Sequence, residues 1–236
     1  MYLRFDTGLR AQGTLQDYTY IILALIGAYL VGSIPSAVWV GTAMYGADVR
    51  NFGSKNAGAT NTFRVLGRGA GLIVLAIDVA KGLAAAAIAN LMLDADLINQ
   101  DDLTFYQILF GVAAILGHIF PVFASFRGGK GVATMIGMVF TVQLNLALAI
   151  IGIFFISLLI SKYVSLGSII SSFVFPLLLI SSLFEHGVDN RTIVASCSLF
   201  VIVIVTHRLN IKRLFAGNEN KSTIRLRKKR IQNSEV

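Results

Sequence analysis

Five long stretches of the chain carry no charge, and they govern the reading of its fold. No Asp, Glu, Lys or Arg occurs from Tyr18 to Ala47, Leu103 to Phe126, Gly131 to Ser161, Tyr163 to Phe184 or Thr192 to His207. A helix crossing a hydrocarbon core of roughly 30 Å needs about 20 residues at 1.5 Å rise. Spans are therefore predicted over 18–44, 104–126, 163–184 and 192–207. The segment 70–93 joins them although it contains Asp78 and Lys81. These stand three apart on one helical face, where they can pair and point into a bundle. The stretch 131–161 would make a helix about 46 Å long, too long for one modestly tilted span. Gln143 and Asn145 offer a polar turn between two short legs.

Composition agrees. Of 236 residues, 56% are hydrophobic and 14% charged, with a mean hydropathy of +0.74. Soluble domains carry about 25% charged residues, so an ordinary water-soluble globule is excluded, and the apolar content excludes disorder. One cysteine, Cys197, allows no internal disulfide. The three histidines, at 118, 186 and 207, have no zinc-ligand spacing. No metal or cofactor is expected.

Orientation follows from the basic residues, which accumulate in short cytoplasmic loops. With 131–161 read as a hairpin, seven spans place 16 of the 20 basic residues on the cytoplasmic side: those at 50–68, Arg127, Lys130, Lys162 and the nine from Arg208 onward. Arg4, Arg10 and Arg191, with the acids Asp94, Asp96, Asp101, Asp102, Glu185 and Asp189, then fall outside. The predicted class is an all-α, polytopic membrane protein of seven transmembrane helices, N-terminus outside and C-terminus cytoplasmic. It divides into an extracytoplasmic segment 1–17, a membrane domain 18–215 and a basic tail 216–236. The first apolar run is too long for a signal-peptide core, so no cleaved signal is expected. The tail reads as an orientation signal that holds anionic lipid headgroups, and nucleic acid is not an expected partner.

Glycine clusters in the loops assigned to the cytoplasm. One runs from Gly53 through Ser54, Asn56, Thr60 and Asn61 to Arg64, a second covers Gly117–Gly131 with Gly128, Gly129 and Lys130, and the third is Ser165–Ser168. Glycine lets backbone N–H groups converge on an anion, and the interspersed Ser, Thr, Asn, Arg and Lys add donors. Lys130 is not a Walker A lysine, because Gly131 stands where Ser or Thr should follow. Taken singly, each feature has a plainer reading. Gly128-Gly129 can be a turn, Arg64 and Arg68 positive-inside anchors, His118 a satisfied interfacial histidine, and His207 with Asn210 a polar cap. Asp78–Lys81 reads as a structural ion pair and Gly32–Ser36 as a kink. The charge-derived topology nevertheless places all three clusters and the 207–210 pair on one membrane face. Unrelated turns have no reason to share a side. A donor-rich, electropositive pocket follows, at the cytoplasmic interface and open to lipid, suited to a substrate with phosphate and acyl portions.

The clusters closely resemble the motifs of the bacterial acyl-phosphate-dependent glycerol-3-phosphate acyltransferase (PlsY) family over residues 18–219. The matching stretches are GSIPS at 32–36, FGSKNAGATNTFRVLG at 52–67, DVAKG at 78–82, GHIFPVFASFRGGKGVAT at 117–134, VSLGSIIS at 164–171 and HRLNIKRL at 207–214. The resemblance implies an inner-membrane enzyme that moves a fatty acyl group from acyl phosphate to position 1 of glycerol 3-phosphate, releasing lysophosphatidic acid and phosphate. It implies neither acyl-CoA nor acyl carrier protein as immediate donor, and an acyl-phosphate-producing enzyme as a partner. Carried over by position, Ser54, Arg64, Lys130, His207 and Asn210 are the expected catalytic set. Asn56, Thr60, Asn61, Gly128, Gly129, Gly131 and Ser168 complete the expected substrate contacts. Lys55 departs from the family by replacing a glycine, and Leu209 by replacing an acidic residue.

An acyl phosphate is a mixed anhydride with a good leaving group, so the protein mainly orients the glycerol hydroxyl and holds two phosphates. The base is either His207 or a phosphate oxygen of the donor, and the resemblance favours the latter. Other acyltransferases fit worse, because no His is followed five residues later by Asp. A CDP-alcohol phosphotransferase would need several intramembrane aspartates. The competing class is a transporter of phosphorylated metabolites, which calls for substrate groups near the membrane midplane, whereas these cluster at one face.

Overall fold

The structure is a computed structural model that describes residues 15–181 and 188–222. Arg4, Arg10, most of the expected 1–17 segment, Glu185 and the tail beyond Ser222 lie outside the described residues. Ten α-helices and short 3₁₀ turns make up the described chain, with no strand among the described residues. They are α1 (Leu15–Gly32), α2 (Ser36–Tyr45), α3 (Ala59–Val65), α4 (Arg68–Asp94), α5 (Leu103–Ile119), α6 (Val132–Val142), α7 (Leu144–Ser161), α8 (Val164–Ile180), α9 (Asn190–Thr206) and α10 (Arg208–Phe215).

Breaks fall where the backbone cannot continue a helix. Pro35 has no N–H to donate, so the first apolar segment splits into α1 and α2. Lys81 Nζ donates to the Ile34 carbonyl at the break, 3.0 Å away, which is how a span tolerates an interruption. Gln143 alone, extended at φ −164°, separates α6 from α7, so the expected break in 131–161 falls there, one residue long rather than a Gln143–Asn145 turn. Pro121 follows the end of α5, earlier than the span to 126. At His207 the chain bends by 62° between α9 and α10, whereas α8 runs through Pro176 unbroken.

Four segments are long and apolar enough to cross a membrane: 18–45, 68–94, 100–124 and 144–161. The bent pair α9–α10 makes a fifth, and α6 and α8 are shorter apolar helices. Leu148, Phe155, Ile156, Leu159 and Ile160 of α7 are all exposed, an outer surface suited to lipid rather than water.

Inside, α4 packs against α1, α5 and α6. A Cβ on Gly82 would stand 1.9 Å from the Thr134 carbonyl oxygen, and one on Gly137 1.9 Å from that of Val79. Only glycine at both positions lets α4 and α6 cross so closely. Beside that crossing lies the largest apolar core, which includes Ile108, Ile115, Met135, Met138, Leu146, Phe175 and Leu199.

Candidate active site

One large cavity, about 1600 Å³, opens among α3, α4, α6, α7, α8 and the segment after α10. Ser54, Asn56, Thr60, Asn61, Arg64, Lys130, Gly131, Ser168, His207 and Asn210 all line it. Two of the proposed ligands, Gly128 and Gly129, are not among its lining residues. They pack behind it against His118.

The first glycine-rich loop is fastened by Asn61. Its amide donates to the carbonyls of Val49 (2.9 Å) and Phe52 (3.1 Å), while its Oδ1 accepts the Ser54 N–H at 2.9 Å. With both N–H groups and an oxygen lone pair committed to backbone, Asn61 shapes the loop even though it borders the cavity. Gly53 and Lys55 both have positive φ, +59° each. Glycine is thus the residue this turn favours at position 55. Ser54 is exposed, and Thr60 and Arg64 extend the lining into α3.

The second loop leans on the first. The Ala57 N–H donates to the Gly128 carbonyl at 3.3 Å, and Arg50 Nη1 donates to the Ala124 carbonyl at 2.9 Å. Arg50 is held by Asp48, with which it forms a 2.7 Å ion pair.

Lys130 then connects to the end of the chain. Its ammonium donates to Asn210 Oδ1, and Asn210 Nδ2 donates to Glu219 Oε1 at 2.6 Å. Glu219 also accepts from Ser165 Oγ (3.0 Å) and Arg213 Nε (2.7 Å). Burial raises the Glu219 pKa, but the hydrogen bonds from Arg213, Asn210 and Ser165 outweigh it and hold it below the ordinary carboxylate value. Burial, the largest influence, pulls the Lys130 ammonium down to about 8, with Arg213 and Arg64 adding to the fall and Glu219 opposing it.

His207 donates from Nδ1 to the Val203 carbonyl, 2.9 Å away. A carbonyl only accepts, so in the neutral ring Nε2 is the acceptor. Ser168 spends its hydroxyl proton on the Val164 carbonyl (3.0 Å); in that cluster Ser165 is the residue wired to other segments. Asp78 and Lys81 form the expected ion pair, 2.9 Å apart.

Sequence reasoning missed Glu219 as the hub of this network. Nine residues separate it from Asn210, and it sits in a segment grouped with the basic tail. Residues 216–222 instead fold back: Asn220, Lys221 and Ser222 line the cavity, and the Ser222 N–H donates to the Lys162 carbonyl at 2.7 Å. An acid at the head of a basic stretch was the available signal. Leu209 is exposed on α10 and is not part of the cavity wall.

The remaining wall is apolar. Leu72, Leu75 and Val79 of α4, Ile136 and Phe140 of α6, and Ile151, Phe154 and Phe155 of α7 line the same cavity. One space therefore joins a cationic, donor-rich surface to a greasy one that reaches exposed Phe155 on the outside of the bundle.

A family model described as glycerol-3-phosphate acyltransferase matches residues 22–217. A glycerol-3-phosphate acyltransferase of Chlorobaculum tepidum is 41% identical over 224 residues, covering 86% of this chain and 96% of that protein. One of Staphylococcus carnosus is 42% identical over 201 residues, covering 85% and 97%. The crystal structure of PlsY, an integral membrane glycerol 3-phosphate acyltransferase, in its glycerol 3-phosphate form superposes with a TM-score of 0.74 at 36% identity, covering 86% of this chain and 96% of that one. Its lysophosphatidic acid form gives 0.70 at 34% identity.

Proposed function

The chain belongs to the glycerol-3-phosphate acyltransferase family, and from that premise we propose that it transfers a fatty acyl group from acyl phosphate to the 1-hydroxyl of glycerol 3-phosphate. The products are 1-acylglycerol 3-phosphate, the lysophosphatidic acid of the first step of phospholipid synthesis, and inorganic phosphate. The observation that carries the reading is the shared cavity, in which cationic loops and an apolar wall meet. A soluble, doubly charged acceptor and a lipid-like donor need such a meeting place.

The glycerol hydroxyl oxygen attacks the acyl carbon, the bond from that carbon to the bridging phosphate oxygen breaks, and phosphate leaves with the electron pair. The hydroxyl proton passes to a phosphate oxygen of the donor. Arg64 and Lys130 neutralise phosphate, the first as a planar fork and the second as a point charge. Ser54 and Thr60 supply hydrogen bonds where the first loop enters α3. Asn210 and Glu219 hold the Lys130 ammonium on aim. His207 Nε2 orients the attacking hydroxyl. Charge compensation and orientation are what the step requires, because the leaving group is already activated.

The protein is a multi-pass membrane enzyme. Counting the bent pair and the two short apolar helices with the four long ones gives the proposed seven spans. The positive-inside bias supports a cytoplasmic cavity in a bacterial inner membrane, within reach of a soluble acceptor and of an enzyme that produces acyl phosphate.

The test is purified protein in detergent supplied with glycerol 3-phosphate and either palmitoyl phosphate or palmitoyl-CoA. Product from the acyl phosphate alone supports the proposal. Product from the thioester alone would replace the donor, and flux of phosphate ester across vesicles without any product would favour a transporter.

A further inference from the structure

We infer that Asp78 and His118 form a buried positioning pair that seats the glycines of the Arg127–Gly131 loop and thereby aims Lys130. The inference rests on the phosphate-binding role proposed for that loop. Both side chains are buried and both border the cavity.

Asp78 Oδ1 gathers three segments: Ser36 Oγ donates to it at 2.7 Å, Lys81 Nζ lies 2.9 Å away and His118 Nδ1 3.3 Å away. A carboxylate only accepts, so the Nδ1-protonated form of His118 is the one that pairs with it. This sets the plane of the imidazole and turns its opposite edge onto the loop. A Cβ on Gly129 would fall 2.0 Å from His118 Nε2, and the Gly129 N–H donates to the His118 carbonyl at 3.0 Å. A Cβ on Gly128 would instead meet that carbonyl oxygen at 1.9 Å. The two glycines thus mould to one residue, by its ring and by its backbone, and Lys130 follows directly. The other oxygen of Asp78, Oδ2, has no protein partner, so the carboxylate's pairing is concentrated on the oxygen that meets His118. An intramembrane ion pair needs no histidine for its own neutrality, since Lys81 already balances Asp78. Orientation of the ring is what the third contact adds.

The experiment compares His118→Ala, His118→Asn, His118→Gln, Gly129→Ala, Gly128→Ala and the double variant His118→Ala/Gly129→Ala. Two readouts are taken: KM and kcat for glycerol 3-phosphate, and protection from heat unfolding by inorganic phosphate, which needs no acyl transfer. Gly129→Ala is expected to raise KM about 10- to 100-fold, the scale of a displacement near 1 Å, and to lose phosphate protection. The double variant should match His118→Ala alone, because the new methyl then has no ring to strike. Gly128→Ala should be impaired, and combining it with His118→Ala should not relieve it, since it strikes backbone. Asn places an amide where Nδ1 stood, keeping the Asp78 contact but not the ring edge beside Gly129, and should recover part of the KM lost in His118→Ala; Gln, reaching past that position, should not. Multiplying penalties in the double variant, or equal behaviour of Asn and Gln, would overturn the positioning role. If the alanine variants fail to fold, the Asn and Gln pair decides alone. The phosphate-protection series decides the role even if acyl transfer fails as the reaction.

Discussion

The two glycine-rich loops that border the cavity are held in different ways. The first, around Ser54, is fastened by a single neutral amide: Asn61 makes three hydrogen bonds to backbone groups no more than twelve residues away. The second, around Lys130, depends on distant charged and polar groups, with Asn210 and Glu219 on one side and His118 with Asp78 behind. A locally clamped loop folds as a unit with its own helix. A remotely held loop takes its shape only when α4, α5, α10 and the chain end are all in place. Substitutions of the residues that hold each loop should therefore act through stability in the first and through activity in the second.

That contrast can be broken at several points. The largest expected effect is Lys130→Ala, which removes a cation from the transition-state environment and should lower kcat/KM by about 10²- to 10³-fold while the unfolding temperature stays close to native. Next is Asn61→Ala, which strands the Val49 and Phe52 carbonyls and the Ser54 N–H. It should cost about 2–3 kcal/mol of stability, seen as an earlier thermal transition in detergent, with a smaller change in KM. If Asn61→Ala were inactive yet fully stable, the amide would be a substrate ligand and the contrast would fail.

A smaller effect comes from pH. The Lys130 ammonium titrates at about 8 because of burial, and phosphate binding needs its protonated form. kcat/KM for glycerol 3-phosphate should hold below that value and fall about tenfold per unit well above it. Lys130→Arg should remove the fall, because guanidinium stays charged; an unchanged profile in that variant would assign the titration elsewhere. The smallest effect is Lys55→Gly. Relief of a left-handed non-glycine backbone, partly offset by the entropy of glycine, should stabilise the loop by about 0.5–1 kcal/mol, measured by thermal unfolding, without altering the donor used.

Patterning made much of this legible before any coordinates. Pro35 and Gln143 announce their breaks, and the charge-free runs mark the apolar helices. Lys130, His207 and Asn210 could be grouped because a one-sided topology put their loops together. Roles were harder to read. An asparagine in a glycine-rich loop looks the same whether it holds backbone or ligand, so Asn61 passed for a contact. Gly128 and Gly129 passed for phosphate ligands, although their lack of side chains fits His118. Glu219 was hard to place because its partners come from two helices, Ser165 from α8 and Asn210 with Arg213 from α10, and no spacing links an acid in a tail to a serine 54 residues earlier. His118 read as a satisfied polar residue, which is true, but its partner Asp78 is on another helix.

The account depends most on loops from distant parts of the chain closing around one substrate space. Ser54→Cys and Asn220→Cys, each in a Cys197→Ser background, can be labelled with a membrane-impermeant maleimide in sealed vesicles of both orientations, with and without glycerol 3-phosphate. Labelling of both positions from the cytoplasmic side only, and slowing of both by glycerol 3-phosphate, is the expected result. Labelling from opposite sides, or protection of one position without the other, would contradict it.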